Sequence, residues 1–585
     1  MKTPAIAVRH ARALALVAFA ATGFGAGRLS GAESAAESFV ELPPLEVSAA
    51  IASPPPWQYA EAPGSEILSR CSATTTKKFA QAHHRIEQLF AAFVPREFQA
   101  QFAVPTLIIL ADKKTTPSVA RDLIATQGTP ETESTEASPQ EGNPATRRPH
   151  SNTIRFLPNL RLYDVDAVAI YTIIDEEQFE PDELVLSFSY MCFLVERRTP
   201  PLPAWLCAGI VRLCAVAQFE PGALVFPPAG WVSAEEKAGL KNDPDFPRTL
   251  LSMRELLEAP SPPDADSDTA LRWQAQTELF LRWVFEPDAP HRRAALWKLV
   301  ARAGAEPVTE AMFREYFALS YSDMRDRLSD YLPVAIQAAM RVQPGKLTEL
   351  PAPKLRLATG AEIGRMKGDW ERLEISYVKT RYPHFVAKYE EQAQRTFAKA
   401  PALGAQDPRL FAVRALHACD QGNDQAARPL LETAAQAKVV RPRIYCELAR
   451  LRLAEALAQP AGKQGALSLA QANRVLEPLA RARTQSPPLA QAYELTAEVW
   501  SRSDVALGPQ HLALMDEGLH LFPAQISLLY RVAVLKMAQG RGAEATALVE
   551  RGLALNPGAG WKTRFDKLQA LLAKAGQKSP APAAK

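Results

Sequence analysis

Residues 411–434, FAVRALHACDQGNDQAARPLLETA, and residues 529–552, LYRVAVLKMAQGRGAEATALVERG, lie over one another without a gap. Phe411 falls on Leu529, and four positions on Ala415 falls on Ala533. Gly422 then meets Gly540, Ala427 meets Ala545, Leu431 meets Val549, and Ala434 meets Gly552. The order is large, small, turn glycine, small, large, small. Two antiparallel helices approach closely only where small side chains face each other, and larger ones fill the groove between them. The two strings therefore predict helical hairpins with a glycine at each bend. Such a hairpin cannot bury its apolar face alone, so neighbouring copies must stack.

Tyr445 lies one 34-residue period beyond Phe411. Tyr493 and Tyr530 mark the first helices of later copies, and an insertion at 460–465 stretches one period. This spacing resembles the tetratricopeptide pattern, down to Pro557 at the family's closing position. Arg414 and Lys536 depart from it, standing where the family prefers Leu and an aromatic. The resemblance implies an all-α tetratricopeptide (TPR)-like solenoid over residues 405–575, with a disordered tail at 576–585. It also implies a groove that takes a protein or peptide segment. A generic helical bundle with alanine-rich seams is the other reading of the same residues.

Upstream the pattern changes. Order is expected from Trp57. A helix at 75–93 carries Phe79, Ile86, Leu89, Phe90 and Phe93 on one side. Residues 106–110, TLIIL, read as a buried strand opened by Pro105. Residues 126–151 collapse into Thr, Glu, Ser, Pro and Gly, the composition of a disordered insertion. Strands are expected at 153–156, 160–163 and 169–174. Helices are expected at 181–197, with Pro181 in the first turn, then at 203–219, 270–285, 292–303, 310–317 and 321–341. A few strands followed by many helices is an α+β pattern, here spanning 57–341 and mostly helical. Residues 342–404 read as a helical linker holding two short helices at 362–370 and 371–379. The whole chain is predominantly α.

The string Leu202-Pro203-Ala204-Trp205-Leu206-Cys207-Ala208-Gly209 resembles the LPxWLxEG element of the peptidase-MA-like gluzincins, a zinc metallopeptidase family. The resemblance covers about 57–335, and it implies peptide recognition by this half too. In an active member that Glu is the third zinc ligand. Two histidines four apart on the preceding helix bind the metal, and the Glu between them is the general base. Here the corresponding positions are Ser187 and Met191 for the histidines, Phe188 for the base and Ala208 for the third ligand. Neutral Ser and Met offer zinc neither charge nor imidazole, and Phe cannot accept a proton. The resemblance thus implies a pseudo-peptidase with no catalytic residue, no metal and no cofactor. The same helix is apolar on the former site side, through Leu184, Phe188, Met191 and Val195, as a packed core requires.

Other sites are conceivable. Cys192, Cys207 and Cys214 fall on neighbouring helices and could supply three thiolates to zinc. They equally suit small core residues, or a Cys192–Cys207 or Cys192–Cys214 disulfide. His83, His84 and Glu87 share one turn of helix, and the reading adopted is a solvated face. No G-x-S-x-G or phosphate-binding G-x-x-x-x-G-K-S/T string occurs, and a triad cannot be assigned without geometry.

The whole-chain figures narrow the partners. With 67 basic against 64 acidic residues and no basic run interleaved with aromatics, nucleic acid is not an expected partner. Six cysteines in 585 residues do not make a disulfide scaffold. Lys2, Arg9, His10 and Arg12 precede an apolar run from 13 to 24, and Ser30-Gly31-Ala32 suits cleavage, so residues 1–32 read as a signal peptide. The run is shorter than the ~20 residues that span a bilayer. Residues 33–56 read as an extended arm. The resulting expectation is an exported, periplasmic or extracellular, non-catalytic binding or scaffold protein of the bacterial envelope, without a membrane span after signal removal. A hydrolase of envelope polymers or peptides with a non-zinc or relocated site, and a purely structural envelope protein, are the alternatives. A clustered set of titratable groups in the former cleft would favour the hydrolase.

Overall fold

Strands β1 (Gln58–Ala62) and β2 (Ser65–Ser69) form a hairpin around Gly64, whose φ of +73° suits glycine. Helix α1 (Ala73–Phe93) follows, with Ser72 capping its start by accepting from the Thr75 amide. Strand β3 (Thr106–Asp112) returns parallel to β2. Strand β4 (Leu160–Tyr163) then runs antiparallel to β5 (Val168–Ile174), which is parallel to β3. Both β3 and β5 are covered on two faces, which is why they read as unbroken apolar runs. The computed structural model describes residues 55–113, 160–179, 188–220, 223–230, 250–259, 263, 268–304, 306–343, 351–402 and 407–578. The expected signal peptide, most of the arm, the insertion at 126–151, the strand at 153–156 and Ser187 lie outside these residues.

Two helices follow, α2 (Phe188–Glu196) and α3 (Ala204–Val216), then β6 (Gln218–Glu220) and β7 (Ala223–Phe226). A helical run comes next: α4 (Met253–Leu257), α5 (Asp268–Val284), α6 (Pro290–Ala303), α7 (Glu310–Phe317) and α8 (Tyr321–Gln337). Strand β8 (Met340–Val342) pairs antiparallel with β7, and β9 (Arg356–Leu357) joins the main sheet beside β1. The expected helices at 203–219 and 321–341 are therefore too long at their C-terminal ends. Phe219 and Met340 belong to the small sheet β6-β7-β8. Short apolar segments suit either state, and here the strand pairing decides.

The main sheet has the order β4-β5-β3-β2-β1-β9. One face, through Ile67, Ile108, Leu110 and Ile170, packs on a core with Phe79, Phe90, Phe193 and Trp205. The other face, through Tyr59, Leu68, Ile109 and Tyr171, meets Met366, Trp370 and Leu373. Those three lie on α9 (Gly360–Arg381), one unbroken helix where the sequence suggested two short ones. A capping box of Thr359 and Glu362 starts it. Helix α9 thus forms the sheet's second covering layer. It also packs on α10 (Val386–Ala402), and a Cβ at Gly368 would come within 2.4 Å of Phe397 there.

The remaining helices form hairpins: α11 (Pro408–Asp420) with α12 (Asp424–Gln436), α13 (Pro442–Ala458) with α14 (Leu469–Arg483), α15 (Ala490–Ser501) with α16 (Pro509–Leu521), and α17 (Ile526–Ala538) with α18 (Gly542–Ala554). The turn glycines expected at Gly422 and Gly540 have φ of +72° and +73°. Ala415, Ala427, Ala434, Ala533 and Ala545 are fully buried along the helix seams. At Gly552 an added Cβ would lie 2.3 Å from Phe565, so even alanine does not fit there. Phe565 belongs to α19 (Ala559–Lys578), which closes the stack against α17 and α18 and runs past the expected domain end at 575. The C-terminal region is TPR-like and the chain is predominantly α. None of the described helices is long and apolar enough to cross a membrane.

Candidate functional site

The peptidase-like string is built into a packing corner. Phe188 and Met191 fall on α2, Ala208 falls on α3, and the two helices pack on one another. Trp205 is buried and meets the ring of Phe280 edge-on at 5.8 Å between centroids. Leu206 is fully buried. A Cβ at Gly209 would sit 2.7 Å from Leu281 Cδ1 and 3.0 Å from the Thr277 carbonyl oxygen, so glycine is what lets α3 close on α5. Leu202, Trp205, Leu206 and Gly209 thus have packing reasons of their own. Ala208, half-buried against the same core, brings no ligand atom.

Among the described residues, no three His, Cys, Asp or Glu side chains gather as a metal would require. All six cysteines are free, so neither conceivable Cys192 disulfide is formed. Burial pushes the thiols of Cys192 and Cys207 up to about 12, and that of Cys214 well above its ordinary value. The His83 expectation is corrected. His83, not His84, faces Glu87, at 3.8 Å and one turn away, and it is buried rather than solvated. Its ring lies 5.9 Å from that of Tyr190 on α2, whose hydroxyl donates to Glu87 Oε1 at 3.3 Å. Burial holds His83 below its usual titration range, partly offset by Glu87. Arg161 on β4 is buried nearby, its Nε and Nη1 without a hydrogen-bond partner.

A larger polar cluster joins the sheet to the repeats. The turn between β4 and β5 carries Asp164 and Asp166, and Arg441 at the start of α13 reaches both. Its Nε donates to Asp166 at 3.0 Å, its Nη2 to Asp164 at 3.1 Å and its Nη1 to Asp369 of α9 at 2.8 Å. Arg372 of α9 donates to Asp164 at 2.5 Å, Asp369 at 2.8 Å and Asp420 at 2.7 Å. Arg443 closes the cluster onto Asp164 and Asp420. Despite burial, Arg372, Arg443 and Arg441 hold Asp164 far below the usual carboxylate range. Asp166 goes the other way, raised by burial and by Asp164 beside it, although Arg441 opposes this. The sequence reading missed this cluster, because its members come from four distant segments. The one visible signal was Arg441-Pro442-Arg443, two cations opening a repeat, for which the preceding hairpin supplies Asp420 alone among the cluster's acids.

A second polar row runs along the solenoid. Glu494 and Glu498 on α15 face α17, where Ser527 donates to Glu494 and Arg531 pairs with Glu498 at 3.0 Å. Gln525 also donates to Glu494, at 2.6 Å. Glu498 and Arg531 keep 19% and 29% of their side-chain surface open, so the row remains reachable. Lys536, where the repeat pattern prefers an aromatic, is buried between Asp516 at 2.7 Å and Glu544 at 2.8 Å. An ion triad thus replaces a ring at that seam.

No protein-family model matches the chain, and no curated protein sequence does. Solved structures to which it is similar include PilF of Pseudomonas aeruginosa, at 14% identity and a TM-score of 0.27, over 37% of this chain and 86% of that one. A thermophilic TPR protein of Thermus thermophilus shows 17% identity and a TM-score of 0.25, over 34% of this chain and 99% of that one. Yeast Tom70 shows 13% identity and a TM-score of 0.25, over 59% of this chain and 75% of that one. TM-scores of this size decide nothing by themselves. The TPR-like register rests on this chain's own turn glycines, buried small residues and stacked hairpins.

Proposed function

We propose that this chain is a non-catalytic protein-interaction scaffold that holds an extended peptide or protein segment against the first helices of its TPR-like array. The observation that carries the reading is the polar row of Glu494, Glu498, Ser527 and Arg531 across consecutive first helices. Stacked repeats create extended binding surfaces, and polar groups already fixed by their neighbours lose little freedom when a peptide replaces a partner. In this reading the front half is a degenerate peptidase-MA-like domain that keeps the family's packing residues and has lost its zinc chemistry at Ser187, Phe188, Met191 and Ala208. The cluster around Arg441 makes that half a rigid shoulder for the array. The composition of residues 1–32 supports export to the periplasm or beyond, with an envelope protein as partner.

The test is a tiled peptide array probed with the full chain and with a Glu494→Gln/Glu498→Gln variant. The wild-type chain should retain a subset of peptides, and the variant should lose at least tenfold affinity for them with unchanged circular dichroism. No retained peptide, or equal retention by the variant, would overturn the proposal.

A further inference from the structure

The charges along α15 are unevenly answered. Glu498 already has Arg531 at 3.0 Å and Arg502 at 3.9 Å. Glu494, one turn earlier, has no cation. It is half-buried, and its two donors, the Ser527 hydroxyl and the Gln525 side-chain amide, are neutral and both go to Oε1. Among the described residues nothing donates to Oε2, and no Lys, Arg or His pairs with this carboxylate. Its Oε2 also stays open to solvent, unlike Oε2 of Glu371 and of Glu374, which are enclosed without a partner. A carboxylate with one open oxygen can accept a further charge-assisted hydrogen bond.

An apolar strip adjoins that acid. Ser527, Tyr530, Val534 and Met537 recur on α17 at the spacing of one helix face. Ser527 is the end that meets Glu494. Tyr530, Val534 and Met537 are half-buried, resting on the core and leaving part of each side chain open. Beyond them, Tyr530 meets the half-buried ring of Trp561 on α19 edge-on, at 5.8 Å between centroids. Helix α17 thus presents an apolar strip between an unanswered acid on α15 and an aromatic ring on α19.

Given the scaffold reading above, on which this rests, we propose that the segment held here is basic and apolar: a Lys or Arg donating to Glu494 Oε2, and a large apolar residue seated on Tyr530, Val534 and Met537. The two residues stand about three apart. Helices α15 and α17 pack on one another, packed helix axes lie about 8–10 Å apart, and an extended chain rises about 3.3 Å per residue. An acidic segment would bring its charge against Glu494, while Arg531 and Arg502 are already committed to Glu498. A half-exposed charge pair adds little affinity, so the apolar anchor supplies most of the hold. The cation sets the register and excludes acidic competitors.

The test is a degenerate library of acetylated, amidated octapeptides passed over the immobilised full chain, with the retained pool sequenced. Lys and Arg should be enriched at least threefold, with an equal enrichment of Phe, Tyr, Trp, Leu or Met two to four positions away. Glu494→Lys should turn the basic preference into an acidic one and keep the apolar preference. Val534→Ser should weaken the apolar preference and keep the basic one. Misfolding would remove both preferences together, so the opposed losses identify the two contacts. A retained pool without basic enrichment, one enriched in acidic residues, or a basic preference unmoved by Glu494→Lys would overturn this ligand class and leave the scaffold reading standing. Retention of no peptide at all would overturn both.

Discussion

Replacing Arg441 with methionine keeps much of the side chain's length and removes the guanidinium. Arg441 is 5% exposed and donates to three carboxylates, each within 3.1 Å. Its loss leaves Asp166 with the Arg443 backbone amide, at 2.8 Å, as its remaining donor. Breaking one buried pair from one side costs about 3–5 kcal/mol, because the other charge stays buried and unpaired. The three carboxylates share one cation, so the losses do not add, and a total of about 3–5 kcal/mol is expected at pH 7. The pH dependence has a sign. Asp164 and Asp369 are held low by arginines, so they stabilise the fold above the unfolded value of about 3.9 and lose that contribution as pH falls through their folded values. Asp166 is raised, so its ionisation costs stability as pH rises, and it takes up a proton more easily once Arg441 is gone. The deficit of the variant should therefore narrow toward pH 5, and Arg441→Met/Asp166→Asn should recover part of it at pH 7. Urea unfolding of the full chain, followed by circular dichroism at pH 7 and pH 5, measures both effects. A deficit below about 1 kcal/mol, the range of exposed pairs, or one that widens toward acid, would refute the reasoning.

Elemental analysis after dialysis against a weak chelator should find far less than one zinc per chain. One tightly held zinc would sink the pseudo-peptidase reading and redirect attention to Cys192, Cys207 and Cys214. Gly209→Ala should cost about 1–3 kcal/mol by overpacking, since the Thr277 backbone it meets has no flexible end to move aside; an unchanged urea midpoint would deny the close α3–α5 approach. Ala545→Trp should destabilise severely while Ala547→Trp, exposed on the same helix, stays within about 0.5 kcal/mol; equal tolerance would contradict the repeat register. Glu374 is buried, and burial together with Glu371 raises its carboxyl to about 8, despite a hydrogen bond from Trp370. Its contribution is most favourable below the unfolded value of about 4.3 and is lost as pH rises toward 8, so Glu374→Gln should flatten stability between pH 5 and pH 8. An unaltered slope would contradict that burial.

The TPR-like half was legible because its signal is local. Close helix approach demands small residues at set spacings, and Ala415, Gly422, Ala427 and Ala434 lie within a single hairpin. Strands β3 and β5 were legible for a similar reason, each being one apolar run. Helix α9 was legible only as two short helices of a linker, since its faces serve different neighbours. Met366 and Trp370 meet the sheet, while Arg365 and Arg372 answer acids elsewhere in the chain, so no single periodicity survives. The acids themselves could not be matched in advance. Asp166 and Arg441 are brought together only by the docking of the β4–β5 turn against α13. His83 failed for a different reason. Its ring packs between Phe79 and Tyr190, and its place four residues after Phe79 and three before Ile86 put it on the apolar side, a signal the reading of the His83-His84 string as one solvated face passed over. Glu544 repeats the lesson at the solenoid seam, where a half-exposed acid is one of two carboxylates satisfying buried Lys536.

Hydrogen exchange of the full chain, free and saturated with a peptide recovered from the array, tests the interaction claim most directly. The account predicts added protection concentrated on α15 and α17, around Glu494, Glu498 and Arg531, with the α2–α3 corner unchanged. Protection confined to α2 and α3, or absent from the first helices of the array, would contradict it.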